Sequence, residues 1–346
     1  MPILPANNQI VRAGFPPSGF DPAMPWQQQM KLAIRDVDTL CKALRLPADM
    51  ASRARGMDQF PVFVPPALLA RMEPENPEDP LLKQVWPASA EIAPVAGFDS
   101  DPLQESSSSP VPGMLHKYHG RVLLVVTGAC GVHCRYCFRR HFPYSESPNG
   151  VEAWQTALDE IRSDKSIEEV LLSGGDPLTL ADKTLHDLVR HISTIGHVKR
   201  LRVHSRMPVV IPSRLTSSLM NLLTRSRLQV VFVVHVNHGN EIDQHVSSAL
   251  EQLSNEQIIV LNQSVLLKGV NDNADALVEL SQKLIESRVM PYYLHQLDRV
   301  DGAAHFEVPV ETGINLIEEI RARLPGYAVP RYVREIPGKP GKTVLC

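Results

Sequence analysis

The chain has 346 residues, of which 43% are apolar and 21% charged, and its formal net charge is −3. That length admits one large domain or two ordinary ones, with apolar residues enough for a substantial core. The near-neutral balance argues against a nucleic-acid surface, and no run of 18 apolar residues exists to span a bilayer. The opening Met1-Pro-Ile-Leu-Pro-Ala-Asn-Asn8 lacks the basic and apolar regions of a signal peptide. The expected location is the cytoplasm, where thiols stay reduced.

Met30, Ala33, Val37, Leu40 and Leu44 recur at spacings of three and four, which predicts an amphipathic helix over 26–45 with Cys41 as a packing residue. Residues 61–120 are rich in Pro and turn formers, including Ser106-Ser-Ser-Ser-Pro110, and read as an irregular wrapping segment. From residue 121 short apolar runs alternate with helical stretches. Strands are predicted over 121–127, 168–173, 199–205, 228–236, 257–265 and 290–297, and helices near 151–163, 182–194, 214–225, 241–253 and 274–287. Such alternation means parallel pairing with right-handed crossovers. The expected fold class is α/β, a partial (β/α)6 barrel whose apolar strands are covered on both faces. Residues 1–110 form a helical and irregular extension, 111–300 the barrel and 301–346 a C-terminal segment.

Polar residues fall at the predicted strand ends, where such folds collect their chemistry. They are Ser173-Gly-Gly-Asp-Pro177, His204-Ser-Arg206, His235-Val-Asn-His238, Asn262-Gln-Ser264 and His295-Gln-Leu-Asp298. The loop after the first strand carries Cys130, Cys134 and Cys137 in the spacing C-x3-C-x2-C. Three thiolates hold three irons of a [4Fe–4S] cube and leave the fourth iron open to a small molecule. That arrangement suits reduction of S-adenosylmethionine to a 5′-deoxyadenosyl radical. A zinc site completed by His133 or His141 is the alternative. A disulfide would leave one thiol over. Cys346 receives no role.

The last dozen residues run from Glu335 to Cys346. Gly341-Lys342-Thr343 looks like the end of a P-loop, but position 336 is Ile and no room remains for the helix that must follow. Two readings stay open: a solvated basic tail, or a lysine on a Gly/Pro turn that forms an imine with an aldehyde cofactor such as pyridoxal phosphate.

Several segments together resemble the lysine 2,3-aminomutase family of radical S-adenosylmethionine enzymes. They are Asp79-Pro80, Val111-Pro-Gly-Met-Leu-His-Lys-Tyr118, the cysteine loop with Phe138-Arg-Arg-His-Phe-Pro-Tyr144, Ser173-Gly-Gly-Asp-Pro-Leu178, Asn262-Gln-Ser-Val-Leu-Leu267 with Val270-Asn-Asp272, and Met290-Pro-Tyr-Tyr-Leu-His-Gln-Leu-Asp298. The resemblance covers residues 75–346 and is strongest to members that make (R)-β-lysine for bacterial elongation factor P. It implies an isomerase that moves the amino group of L-lysine from C2 to C3, using a [4Fe–4S] cluster, S-adenosylmethionine and pyridoxal 5′-phosphate. A functional link to elongation factor P and its β-lysine ligase, and a possible homo-oligomer, come with it.

The resemblance also implies roles for single residues. Cys130, Cys134 and Cys137 match the cluster ligands, and Gly174, Gly175 and Asp176 the loop that binds the methionyl end of S-adenosylmethionine. Lys342 matches the pyridoxal lysine, Arg139 the group that holds the substrate carboxylate, and Asp298 the acid that meets its distal ammonium. Arg121, His235 and Gln263 match positions near the pyridoxal phosphate. Read from the residues themselves, Lys117, Arg121, Arg139, Arg140 and Arg206 supply positive charge around the strand ends for its phosphate, with a solvated surface place the alternative for each. Glu335 stands where many relatives have Asp, a second carboxylate for the ammonium. Lys339-Pro340 interrupts the glycines that precede the lysine in relatives, which makes Lys339 a rival to Lys342. The chain also stops before the zinc-binding tail of longer relatives, so no zinc is expected there. An arginine aminomutase, a maturase acting on a protein side chain, and a non-enzymatic Fe–S or zinc protein are the rival functions.

Overall fold

The computed structural model describes residues 20–54, 60–146, 150 and 152–346. Its strands are β1 (Met114–Tyr118), β2 (Arg121–Val125), β3 (Glu169–Ser173), β4 (Arg200–Ser205), β5 (Gln229–Val234), β6 (Ile259–Val265), β7 (Met290–His295), β8 (Arg331–Arg334) and β9 (Thr343–Val344). They form one sheet whose spatial order is the sequence order. Strands β2 to β8 are all parallel, and an antiparallel strand closes each edge. Because the order never reverses, right-handed crossovers carry the connecting helices to one face, and the sheet curls about the other. The curl is deep: Lys117 on β1 meets Glu335, just after β8, at 2.9 Å. The edges approach without pairing, which makes an open, partial barrel. The six expected parallel strands are present, and β8 adds a seventh.

Side chains alternate across this sheet more sharply than the sequence led us to expect. Leu201, Val203, Phe232, Val260 and Leu294 are buried under the helices. The other face carries Arg121, Ser173, Arg202, His204 and Gln263, all only partly buried. The expectation of strands apolar on both faces is therefore corrected: the concave side sets these polar groups among apolar ones such as Leu171 and Val233.

The covering helices are α6 (Gln155–Ser163), α7 (Asp182–Ser193), α9 (Ser217–Thr224), α10 (Gln244–Asn255), α11 (Ala274–Glu286) and α12 (Val310–Arg321), with a single turn, α8 (Met207–Val210), after β4. Each buries one stripe, such as Leu185, Leu188, Val189 and Ile192 of α7. Thr216, Asp243 and Asn273 cap α9, α10 and α11 by accepting the backbone N–H three residues on.

Ahead of the barrel lie α1 (Trp26–Leu32), α2 (Val37–Ala43), α3 (Ala48–Ala54), α4 (Pro66–Leu69) and α5 (Pro80–Lys83). The single helix expected over 26–45 is broken. Ala33 turns extended, Ile34 bridges to Val64, and Asp36 caps a fresh start by accepting Thr39 N–H. The segment 61–120, expected to be irregular throughout, holds α4, α5 and β1. Trp26, Leu40, Leu44 and Leu68 share one core with the barrel strands. No helix among the described residues is long and apolar enough to cross a membrane.

Gly313 of α12 sits flat against the buried ring of Tyr332 on β8, and a Cβ there would come within 2.3 Å of that ring. Gly313→Ala should therefore destabilise the protein by about 1–3 kcal/mol through overpacking. A thermal melt with an unchanged Tm would refute this packing.

Candidate active site

The cysteine loop follows β2, which ends at Val125, and is clamped from three sides. The loop after β3 lies against it: Gly175 N–H donates to Thr127 O and Asp176 N–H to Ala129 O, both at 2.7 Å. A Cβ on Gly174 or Gly175 would fall 2.6 Å or 2.3 Å from those carbonyls, so only glycine permits the approach. From β4, Arg206 donates to Cys134 Sγ at 2.7 Å while its other Nη pairs with Glu241 at 2.7 Å. From the N-terminal extension, Gln84 O accepts Arg135 N–H at 2.8 Å, and Arg135 also pairs with Glu91 through Nε at 2.9 Å. His133 Nδ1 is 2.8 Å from Pro61 O, its ring stacked on Phe60.

The three thiols share this loop. Burial first, then the charges of its neighbours Cys137, Asp176 and Cys134, push the Cys130 thiol well up. Burial and Cys134 bring Cys137 to about 11. Iron binding at these thiols would release protons, because only the thiolate is a ligand. His133 is tied to Pro61, and His141 Nε2 is 3.2 Å from Asp301 O, so neither completes a zinc site with the thiols. Among the described residues no three His, Cys, Asp or Glu side chains gather about one point as a single ion needs. A donor set of three thiols spread over one loop, none of them in a disulfide, fits a [4Fe–4S] cube.

Asp176 spends its carboxylate on structure. It accepts from Ser205 Oγ at 2.7 Å, Arg206 N–H at 2.7 Å and Leu178 N–H at 3.0 Å. It staples the β3 loop to the β4 loop. Tyr144, which sequence reasoning did not single out, donates its hydroxyl to Gly174 O at 2.9 Å.

A second group of residues faces the first across the concave surface. Lys342 Nζ donates to Glu335 Oε2 at 2.6 Å, and Lys117 Nζ to Glu335 Oε1 at 2.9 Å. Burial pushes the Glu335 carboxyl up, but the ammonium groups of Lys342 and Lys117 outweigh it and hold it at about 2. Asp298, beyond β7, has the opposite balance: burial, then the charge on Glu335, raises it to about 7. Lys339 is exposed on its turn, so the two candidate lysines are distinguished by position. Burial, and then other cations, lower His204 well below its ordinary value; Lys342 is among them. His295 is lowered in the same way, with Lys342 the first of the charges. His235 lies 3.4 Å from His204 and falls to about 4 through burial and Arg206. The Nε2 atoms of His204 and His295 are buried without a partner among the described residues. Orphaned neutral nitrogens beside an interior lysine fit a polar, conjugated aldehyde such as pyridoxal phosphate.

The cations expected around a phosphate do not form one nest. Arg140 pairs with Glu91 at 2.7 Å and Arg206 with Glu241, both turned toward the cysteine loop. Lys117 bridges two carboxylates. Arg121, at the opposite end of β2 from the cysteines, lies over the Tyr118 ring at 4.5 Å. Gln263 stands on the concave face opposite Tyr293. Arg139 is buried and pairs with Glu105 at 2.7 Å. Glu105 is the residue that sequence reasoning missed altogether. It is a lone acid beside a serine run, and no periodicity marks it.

Residues 119–206, which include the three cysteines and the glycine pair, match the family described as a 4Fe-4S single cluster domain. The L-lysine 2,3-aminomutase of Haemophilus influenzae is 46% identical over 324 residues, which is 93% of this chain and 95% of that one. The L-lysine 2,3-aminomutase of Escherichia coli is 46% identical over 323 residues, 92% and 94% of the two chains. That of Clostridium subterminale is 39% identical over 320 residues, 92% and 77% of the two. Among solved structures, Streptococcus suis SuiB bound to S-adenosylmethionine aligns over 64% of this chain and 51% of its own, with a TM-score of 0.47 and 13% identity, a likeness too loose to add to the strand order above. With the relatives matched along nearly the whole chain, this protein belongs to the L-lysine 2,3-aminomutase family.

Proposed function

We propose that the chain isomerises L-lysine to (R)-β-lysine by radical migration of the amino group from C2 to C3. The observation that carries this reading is the charge pattern of the cavity. Arg139 lies near the cysteine loop, and the acids Asp298 and Glu335 lie beside Lys342. Such a cavity complements an amino acid with a carboxylate at one end and an ammonium at the other.

The bound groups supply the hard chemistry: cluster and S-adenosylmethionine a carbon radical that can take an unactivated hydrogen, and pyridoxal phosphate a conjugated partner for the nitrogen. Cys130, Cys134 and Cys137 hold the cluster, and Arg206 steadies Cys134. The Gly174–Gly175 turn, pressed on the cysteine loop, lines the neighbouring space for S-adenosylmethionine, with Asp176 fixing its shape. Lys342 tethers the pyridoxal cofactor. Glu335 holds the Lys342 ammonium in position until the cofactor arrives. His204, His235 and His295 stay neutral, and Arg121 and Gln263 border the same cavity. Arg139 takes the substrate carboxylate by charge-assisted bonds, and Asp298 with Glu335 takes the distal ammonium. Acids at that end disfavour a substrate with a distal carboxylate. The product serves modification of elongation factor P through a β-lysine ligase.

Anaerobic incubation with lysine, dithionite, S-adenosylmethionine and pyridoxal phosphate should yield β-lysine. A cofactor-loaded protein that returns only α-lysine ends the proposal. Lys342→Ala should lose the visible absorbance of bound pyridoxal phosphate and keep its iron and sulfide, whereas Lys339→Ala should lose neither. The reverse pattern would move the tether to Lys339.

Asp298 gives a pH signature. Its carboxyl, at about 7, is neutral below that pH and charged above it. The KM for lysine should therefore fall as pH rises through about 7, because only the charged form attracts the ammonium. Asp298→Asn should raise KM about tenfold or more, the loss of one charge-assisted contact. It should also flatten this pH dependence, and a slope that survives the substitution removes Asp298 from the ammonium site.

A further inference from the structure

Arg139 is itself held. Its Nε and Nη2 donate to the two oxygens of Glu105 at 2.7 and 2.9 Å, and Nη1 donates to Ser173 Oγ at 3.1 Å. Those bonds occupy three of the five N–H groups of a guanidinium and leave one on each Nη. Glu105 takes the Nε–Nη2 edge, so the Nη1–Nη2 edge is the one left to receive a carboxylate. The rings of Phe138 and Phe142 lie 4.9 and 5.9 Å from the guanidinium and limit its tilt.

Glu105 is in turn fixed to both ends of the cavity. Its backbone N–H donates to Asp101 Oδ1 at 2.8 Å, and Asp101 Oδ2 takes the Ser106 hydroxyl at 2.8 Å. Two residues earlier, Asp99 is bonded into the loop that carries Asp298. Its N–H donates to Arg299 O at 3.0 Å, and its carbonyl accepts Asp301 N–H at 2.9 Å. Lys117 spans the remaining gap, 3.2 Å from Glu105 and 2.9 Å from Glu335. The charges thus alternate without a break from Arg139 through Glu105, Lys117 and Glu335 to Lys342. Glu105 is 4% exposed, and a buried carboxylate that left its partners would be stranded at high cost. It has no reason to leave, because the other edge of Arg139 is available.

We propose that Glu105 is a positioning residue for substrate recognition: it holds Arg139 by one edge and, through Lys117, fixes the span between the carboxylate and ammonium ends of the bound amino acid. This rests on the reading of Arg139 as the carboxylate clamp. Glu105 need touch no reacting atom. Its action is on the geometry that selects a six-carbon diamino acid.

The test uses the anaerobic, cofactor-loaded enzyme. Glu105→Gln should raise the KM for lysine about tenfold or more, since a loosened clamp loses charge-assisted contacts. With its iron content and pyridoxal absorbance at wild-type levels, its kcat should stay within about threefold, because binding rather than chemistry is affected. Preference for lysine over the shorter ornithine should shrink. Glu105→Asp keeps the charge on a shorter arm; it should melt close to wild type yet keep a raised KM. Should Glu105→Gln not fold, Glu105→Asp carries the decision alone. An unchanged or lowered KM in the loaded variants overturns the proposal, as does a KM that returns to wild type together with Tm in Glu105→Asp. Arg139→Gln separates the two levels. If it leaves KM unchanged, the clamp assignment itself fails. If it raises KM and the Glu105 variants do not, only the role of Glu105 fails.

Discussion

A run of alternating charge crosses the open side of the barrel, from Arg139 to Glu105, Lys117, Glu335 and Lys342. Its members come from five separate stretches of chain: the turn at 105, β1, the cysteine loop, the exit from β8 and the last hairpin. Each charge is partly or wholly removed from water, so each is tolerable only with its neighbours present. This mutual dependence joins the two edges of a sheet that does not close by hydrogen bonding. On the proposed assignment of Arg139, Asp298 and Glu335 it also sets where the substrate carboxylate and ammonium go.

The N-terminal extension has its reason at the other end of the cavity. A three-cysteine loop between a strand and a helix has little regular structure of its own. Here it is gripped from outside by carbonyls and side chains of the extension, including Gln84, Glu91 and Pro61. The glycines after β3 and Arg206 just after β4 grip it from inside. A rigid loop is what a cluster with one open iron needs, since the position of the bound small molecule follows from that of the cube. Arg206, Glu241, Gln84 and Asn237 form a buried polar set under the loop. Within it only the Arg206 Nε is left without a partner among the described residues.

Parallel pairing and cluster chemistry were legible in the amino-acid sequence because both follow from local patterns. Apolar runs alternating with helical stripes give parallel crossovers whatever lies elsewhere, and thiol spacing in a short loop fixes the donor set. The predicted strands and helices accordingly stand within a few residues of the observed ones. The single helix over 26–45 failed for a reason that is not local. Ile34 gains a bridge to Val64 that a continuous helix would forbid, and such a long-range pairing leaves no periodic trace.

The remainder belonged to the tertiary structure. Glu105 could not be found from its neighbours, because its partner Arg139 lies 34 residues away and Lys117 reaches it only after β1 folds back on β2. Asp298 and Glu335 are both carboxylates in the sequence. Only their surroundings make one titrate near neutrality and the other stay charged: Glu335 has two ammonium partners, and Asp298 is buried beside a like charge. Likewise Lys339 and Lys342 share one glycine-rich turn, and only the closure of the last hairpin onto β8 brings Lys342 to Glu335. The sequence by itself determined which elements form and which metal chemistry the thiols can support, since those follow from near neighbours along the chain. Which charges meet, and at what pKa, was decided by the curl of the sheet, because Coulomb energy depends on distance in space and on exclusion of water.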